Sequence, residues 1–454
     1  MIAPPTEIPW LAIPTRNRAS TLSRALASYS GALEAHGRST RILVGSDSSD
    51  VASEEEAVSL LRGRAHLVDG RARRALAASV AQIAGDQGAF GVVRPSSERT
   101  APGAIRNTLL LLTRGAPVAF ADDDTIAYGR PSPTRTWRHA NGDTTSLAFF
   151  HSRSAALATA TSTIDVVGEH LAALGHLASD LVPGAPAERL VRTQLGLVGD
   201  AATANMVFTF LSEGETWNAL LEASDGAVAS RGVVRASREH VVGRDGPCLG
   251  LAIGLDARTL LPPFPPVGTN EDGVFATALS LISRAMTATI PTCVQHDPPE
   301  ARCGVFDVAR DVVPRGSDLF SAIMTAWPGH ASADPAVRMR ALGAWLVEVA
   351  GAPLRDLVTT LYRRRRARTA EELARRMPRL SSSAHASVAK TLLEAVRRSI
   401  DLDPLAVVDL LPPGARAEAG EGERSLRDLL VGYGRLLAVW PDLWASSSLP
   451  HASG

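Results

Sequence analysis

The chain has 454 residues, 45% of them hydrophobic and 21% charged, and its 47 Lys and Arg cancel its 47 Asp and Glu. That composition excludes global disorder and leaves no bulk basicity to steer the chain onto nucleic acid, which is not expected as a partner. Three cysteines exclude a disulfide framework, no apolar run reaches the roughly 18 residues of a transmembrane segment, and Met1 to Trp10 lacks the pattern of a signal peptide, so a cytoplasmic protein is expected.

Trp10 to Ile13 form a compact apolar run that Pro14 stops, and a helix is predicted from Ser20, as N-cap, through Leu22, Leu26 and Leu33. Ile42 to Val44 give a second strand. Ser53 and Glu56 form a capping box for a helix holding Val58, Leu60 and Leu61. A third strand, Ala65 to Val68, precedes a helical stretch from Ala72 to Ile83. Pro102 opens a helix carrying Ile105, Leu109 and Leu112, and Pro117 to Ala121 form a fourth strand that ends in Asp122, Asp123 and Asp124. Strands alternating with helices imply right-handed βαβ units and a mostly parallel sheet, with ligands at the carboxyl ends of its strands, where these aspartates lie.

Gly129 to Asp143 reads as an exposed loop, and residues 145–230 as mixed and mostly helical, with one helix from Ile164 to Leu181. A second chemical cluster runs from Cys248 to Arg302. It holds an apolar run, the Pro-rich turn Leu261 to Pro266, Asn270-Glu271-Asp272 opening a helix, and His296 in a loop. Beyond Val305 only helical patterns remain, at 318–327, 335–350, 353–377, 384–400 and 424–440, with no fixed-period repeat.

Three adjacent carboxylates at the end of a buried strand repel one another, and a hard divalent cation such as Mg²⁺ or Mn²⁺ would offset their charge. An acidic, solvated turn is the structural alternative. Glu271 and Asp272 equally suit the first turn of a helix capped by Asn270. Cys293-x-x-His296 with Cys303 offers three zinc ligands but no evident fourth. Arg363 to Arg366, with Arg368, Arg375 and Arg376, point in every direction on a helix and read as mostly solvated.

In order along the chain, Ile13-Pro14-Thr15-Arg16-Asn17-Arg18, Val44-Gly45-Ser46-Asp47-Ser48-Ser49-Asp50, Gly103-Ala104-Ile105-Arg106-Asn107 followed by Asp122 to Asp124, and Asn270-Glu271-Asp272 resemble the motifs of GT-A fold glycosyltransferases, especially the inverting family 2 type. The resemblance spans roughly residues 8–302 in outline. Its fold implication is an α/β, Rossmann-like, mostly parallel sheet flanked by helices. Residues 1–304 are then a GT-A domain with an insertion at about 130–240 that covers the sheet, and 305–454 an all-helical C-terminal domain. At the second motif Gly45-Ser46 stand where the family has an acidic pair, which leaves Asp47 as the base-reading residue.

What the resemblance implies is a metal-dependent transferase that moves a sugar from a nucleotide-diphosphate donor, UDP-sugar first, to an acceptor that is a small molecule, glycan or peptide. Asp122, Asp124 and His296 are the implied ligands of Mn²⁺ or Mg²⁺, and Pro14, Thr15, Arg16, Asp47, Arg106 and Asp123 the implied donor contacts. Asp272, or else Glu271, is the implied base, with inversion. His296 is equally a hydrogen-bonding residue, and the helical tail a candidate surface for self-association. Two other classes stay open: a nucleotidyltransferase, against which the glycine-free loop after the first strand counts, and a non-catalytic scaffold, against which the retained carboxylates count.

Overall fold

A computed structural model of the chain describes residues 3–47, 51–61, 63, 65–92, 102–201, 206–268, 270–299, 312–380, 385–406 and 421–452. The first part runs β1 (Trp10–Thr15), α1 (Ala19–Ala35), β2 (Arg41–Ser46), α2 (Val51–Leu61), β3 (His66–Val68), α3 (Gly70–Val92), α4 (Pro102–Leu112) and β4 (Pro117–Ala121). The middle holds β5 (Thr125–Arg130), β6 (Trp137–His139), β7 (Ser146–Phe150), α5 (Arg153–Leu157), β8 (Ser162–Thr163), α6 (Val166–Leu171), α7 (Ala178–Leu181) and β9 (Leu190–Asp200). Then come α8 (Met206–Leu211), α9 (Gly214–Glu222), α10 (Asp225–Ala229), β10 (Gly232–Ala236), β11 (His240–Gly243), β12 (Ala252–Asp256), α11 (Glu271–Ile282) and β13 (Met286–His296). Helices close the chain: α12 (Gly316–Thr325), α13 (Pro335–Gly351), α14 (Leu354–Leu380), α15 (Ala386–Ser399) and α16 (Glu421–Ala445).

The fold is α/β, built on one mixed, mostly parallel sheet whose main path is β3-β2-β1-β4-β12-β9-β13-β11-β6. β3, β2, β1 and β4 are parallel; β12 is antiparallel to both β4 and β9, and β13 runs parallel to β9. The strands β2, β1, β4, β9 and β13 therefore all end on one edge. Strand β1 continues through Pro14 to Thr15 instead of stopping at Ile13. Proline is tolerated there because β4 pairs with β1 only as far as Ala12, which leaves one neighbour beside Pro14.

Several local expectations change. Helix α1 begins at Ala19 with Arg18 at the cap position and no side-chain cap, so Ser20 lies in the first turn. Val51 is already helical in α2, so Ser53 is interior to that helix and not its cap. The span predicted as one helix from Ile164 to Leu181 is broken into α6, capped by Asp165 on the Gly168 amide, and α7; Gly175 between them has φ +79°. The largest difference is β9. It falls inside the span read as a covering insertion, yet all eleven of its residues are buried and it is a central strand.

Two cores sandwich the sheet. One face packs Leu11, Ile13, Val44, Leu195 and Ile290 against α1 and α6. On the other, Phe120, Ile253 and Leu255 join Ile105 and Leu109 of α4, Phe275 of α11, and Leu346, Tyr433 and Trp440 of the closing helices. Helices α12, α13, α16 and the first turns of α14 thus share a core with the sheet, whereas the rest of α14 and α15 pack with α8 and α9 around Phe210, Trp217 and Leu220. Each fully buried large side chain here contributes roughly 1.5–3 kcal/mol. Gly343 of α13 faces Gly434 of α16 so closely that a Cβ on Gly343 would lie 2.3 Å from the Gly434 carbonyl oxygen. Helix α16 also fixes the chain ahead of α11, because Tyr433 Oη donates to the Pro263 carbonyl and Trp440 Nε1 to that of Leu261, both at 2.8 Å. No helix among the described residues is long and apolar enough to cross a membrane.

Candidate active site

The shared carboxyl edge of the parallel strands gathers Thr15 at the end of β1, Asp47 after β2, Asp122 to Asp124 after β4, Asp200 at the end of β9 and His296 at the end of β13. Asp122, Asp123 and Asp124 form the tight turn into β5. Thr125 Oγ1 donates to the Asp122 carbonyl at 2.7 Å and lies 2.8 Å from the buried Tyr29 hydroxyl. Asp123 and Asp124 share Arg18, and Asp122 turns to a different arginine.

Asp123 accepts from Thr15 Oγ1 at 2.6 Å and lies 3.4 Å from Arg18 Nη1. Burial pushes its carboxyl up to about 6, opposed by the Thr15 hydrogen bond. Asp124 sits between Arg18 Nη1, 3.3 Å from its Oδ2, and His296 Nε2, 3.5 Å from its Oδ1. His296 is the last residue of β13 and not part of a loop, and its pairing with Thr125 of β5 delivers it to the aspartate turn. Its Nδ1 donates to the Asp200 carbonyl at 2.8 Å, and its Nε2 faces Asp124.

Asp122 turns the other way. Its Oδ1 accepts from Arg106 Nη2 at 2.5 Å, and the Arg106 Nε donates to Glu271 Oε1 at 3.1 Å while Nη1 donates to the Gly250 carbonyl at 3.2 Å. Arg106 is buried on α4 and ties the aspartate turn to the first turn of α11. Next to it Asp272 accepts from the Gly250 amide through Oδ2 at 2.7 Å and from the Gly273 amide through Oδ1 at 2.8 Å. Asn270 adopts the left-handed region, φ +59°, and makes no side-chain cap, so the capping expected of it is absent and Asp272 contacts the α11 amide instead. Burial raises the Asp272 carboxyl, and the Gly250 amide opposes that.

Glu271 is more deeply placed, and burial pushes it up to about 7 against the pull of Arg106. A raised acid keeps its proton in the folded chain where the unfolded chain has lost it. Stability from this group therefore falls as pH rises from about 4.5 towards about 7. Glu271→Gln is expected to flatten that slope, so that urea unfolding at pH 5 and pH 7.5 differs less for the variant than for the wild type; an unchanged difference would contradict the assignment.

Asp47 reaches the edge, but its carboxylate is turned inward onto the buried Arg73 at 2.7 Å. Pro14 lies within β1, and Arg16 follows it in a partly exposed bend. Among the described residues no group of three His, Cys, Asp or Glu is assembled for a metal ion; Asp124 and His296 are together and Asp122 is held by Arg106. Cys293 is buried in β13, 3.6 Å from the Pro291 carbonyl, and Cys303 and Arg302 lie outside the described residues. The sequence reading missed Asp200 and Arg73. Asp200 had a signal of the same kind as the aspartate turn, an apolar run ending in a carboxylate, Leu195 to Asp200. No family model and no curated protein matches this chain.

Proposed function

We propose that the chain is a GT-A-type glycosyltransferase that moves a sugar from a nucleotide-diphosphate donor, UDP-sugar first, to an acceptor hydroxyl, thiol or amine with inversion. The observation that supports this reading is the junction at one sheet edge of two acidic motifs far apart in sequence. The Asp123–Asp124–His296 group and the Glu271–Asp272 pair flank Arg106 and Asp122. A mixed sheet with its ligand edge at the parallel carboxyl ends is compatible with that fold.

One carboxylate and one imidazole held 3.5 Å apart, with the imidazole tautomer set by the Asp200 carbonyl, suit a divalent ion such as Mn²⁺ or Mg²⁺ that keeps positions for diphosphate oxygens. Bound there, such an ion would offset the charge that develops on the leaving diphosphate. Thr15 and Arg18 hold Asp123 and Asp124 in place for the donor. Arg106 fixes Asp122 and Glu271, and Asp272, the more exposed of the α11 pair, takes the acceptor proton as the new bond to the anomeric carbon forms and the bond to the diphosphate breaks. The two amides on Asp272 aim its carboxylate while leaving lone pairs for that proton.

Calorimetric titration with UDP, with and without Mn²⁺, tests the donor side. The wild type is expected to bind UDP tightly only with Mn²⁺, and both Asp124→Asn and His296→Ala to weaken that binding by about tenfold or more. UDP affinity unchanged in both variants would remove the donor site from this edge.

A further inference from the structure

A cavity of about 460 Å³ opens beside the proposed base, bounded by Cys248, Leu249, Asn270, α8, α12 and α14. Its wall is cationic. Among the described residues, Arg235, Arg315, Arg365 and Arg366 line it against one carboxylate, Asp318. Arg235 is paired with Asp143 at 2.7 Å, and Arg365 lies 3.7 Å from Asp318. Arg366 donates to the Val312 carbonyl at 2.7 Å, and Arg315 makes no side-chain hydrogen bond among the described residues. Among the described residues, Arg315 and Arg366 therefore bring positive charge to the cavity that no lining carboxylate answers.

The cavity meets the catalytic edge through two short links. Leu249 precedes Gly250, whose amide binds Asp272, and Asn270 precedes Glu271. The lining thus borders, at Leu249 and Asn270, both segments that carry and hold Asp272. The volume matches a compact small molecule rather than a chain. Guanidinium groups favour oxyanions with two oxygens to accept the planar fork.

We propose that this cleft is the acceptor site and that the acceptor is a small hydroxyl compound bearing a phosphate or carboxylate group, which the arginines hold while its hydroxyl faces Asp272. This rests on the transferase reading. The basic run from Arg363 to Arg366 then has a function in part: Arg365 and Arg366 line the cleft, whereas Arg363 is exposed and outside it.

The test uses the full chain and three probes of matched size, glucose 6-phosphate, glucuronate and glucose, read by thermal shift and calorimetry, with UDP and Mn²⁺ titrated in parallel. Glucose 6-phosphate or glucuronate is expected to bind and glucose not, and which anion binds identifies the group. Arg315→Gln is expected to weaken that binding about tenfold or more and Arg366→Gln similarly, while Arg363→Gln, an equal loss of charge outside the cleft, leaves it unchanged. UDP binding should be unaffected in all three. If neither anionic probe binds while UDP and Mn²⁺ do, or if Arg363→Gln weakens binding as much as Arg315→Gln, the acceptor assignment is overturned and the transferase reading stands. If an anionic probe binds and UDP with Mn²⁺ does not, the transferase reading fails and the acceptor assignment falls with it.

Discussion

Replacing Arg106 with methionine is expected to destabilise the chain by about 3–5 kcal/mol, the largest single-residue effect at the site. The side chain is only 3% exposed and holds Asp122, Glu271 and the Gly250 carbonyl at once. Its removal leaves the Asp122, Glu271 and Asp272 carboxylates facing one another with no cation among them. The loss depends on pH in a definite direction. Glu271, already held up to about 7 by burial, rises further without Arg106, so the variant's carboxylates are neutralised at low pH and charged at high pH. The deficit against wild type should therefore be smaller at pH 5 than at pH 8 in urea unfolding. Lysine is a poor rescue, since one ammonium cannot reproduce a fork that reaches two carboxylates and a carbonyl. A methionine variant as stable as wild type at pH 8 would show that the bridge does not hold the two motifs together.

Asp272→Asn is expected to lower turnover by about 10² to 10⁴ while UDP binding survives, because asparagine removes basicity at one atom and leaves the Asp124–His296 side untouched. The structure adds a cost that helix capping alone would not predict. Both carboxylate oxygens accept backbone amides, from Gly250 and Gly273, and asparagine has one oxygen, so one amide loses its acceptor. That costs about 1–3 kcal/mol in stability, and turnover has to be compared on protein that circular dichroism shows to be folded. Near-normal turnover in folded Asp272→Asn would move the base to Glu271 or point to retention.

How much was legible differs between elements. β4 and the last five helices followed from an apolar run or apolar periodicity, since the pattern that marks them lies within each element. β9 did not, because Arg192 and Gln194 interrupt its apolar run. Both are buried, and their partners, the Gly246 carbonyl at 2.8 Å for Arg192 and the Ala252 carbonyl at 3.1 Å for Gln194, come from distant chain. β13 hid behind Pro291, which a strand interior normally rejects; a register shift between Ile290 and Cys293 admits it. Within the site the acidic motifs were visible as carboxylates next to apolar runs. That Asp122 turns to Arg106 and Asp124 to His296 was not, because those choices are set by how α4 and β13 dock on the sheet edge.

On the proposed function, this edge releases a nucleoside diphosphate as a sugar is transferred. The test is to incubate the chain with Mn²⁺ and, in separate samples, a panel of nucleotide sugars with glucose 6-phosphate or glucuronate as acceptor and a panel of nucleoside triphosphates with a sugar 1-phosphate, and to identify the phosphorus species by NMR. Nucleoside diphosphate is expected to be released from one donor, UDP-sugar first, and that release to be lost in Asp124→Asn and in Asp272→Asn. Release of pyrophosphate from a nucleoside triphosphate, or no diphosphate from any donor in a protein that also fails to bind UDP with Mn²⁺, would contradict it.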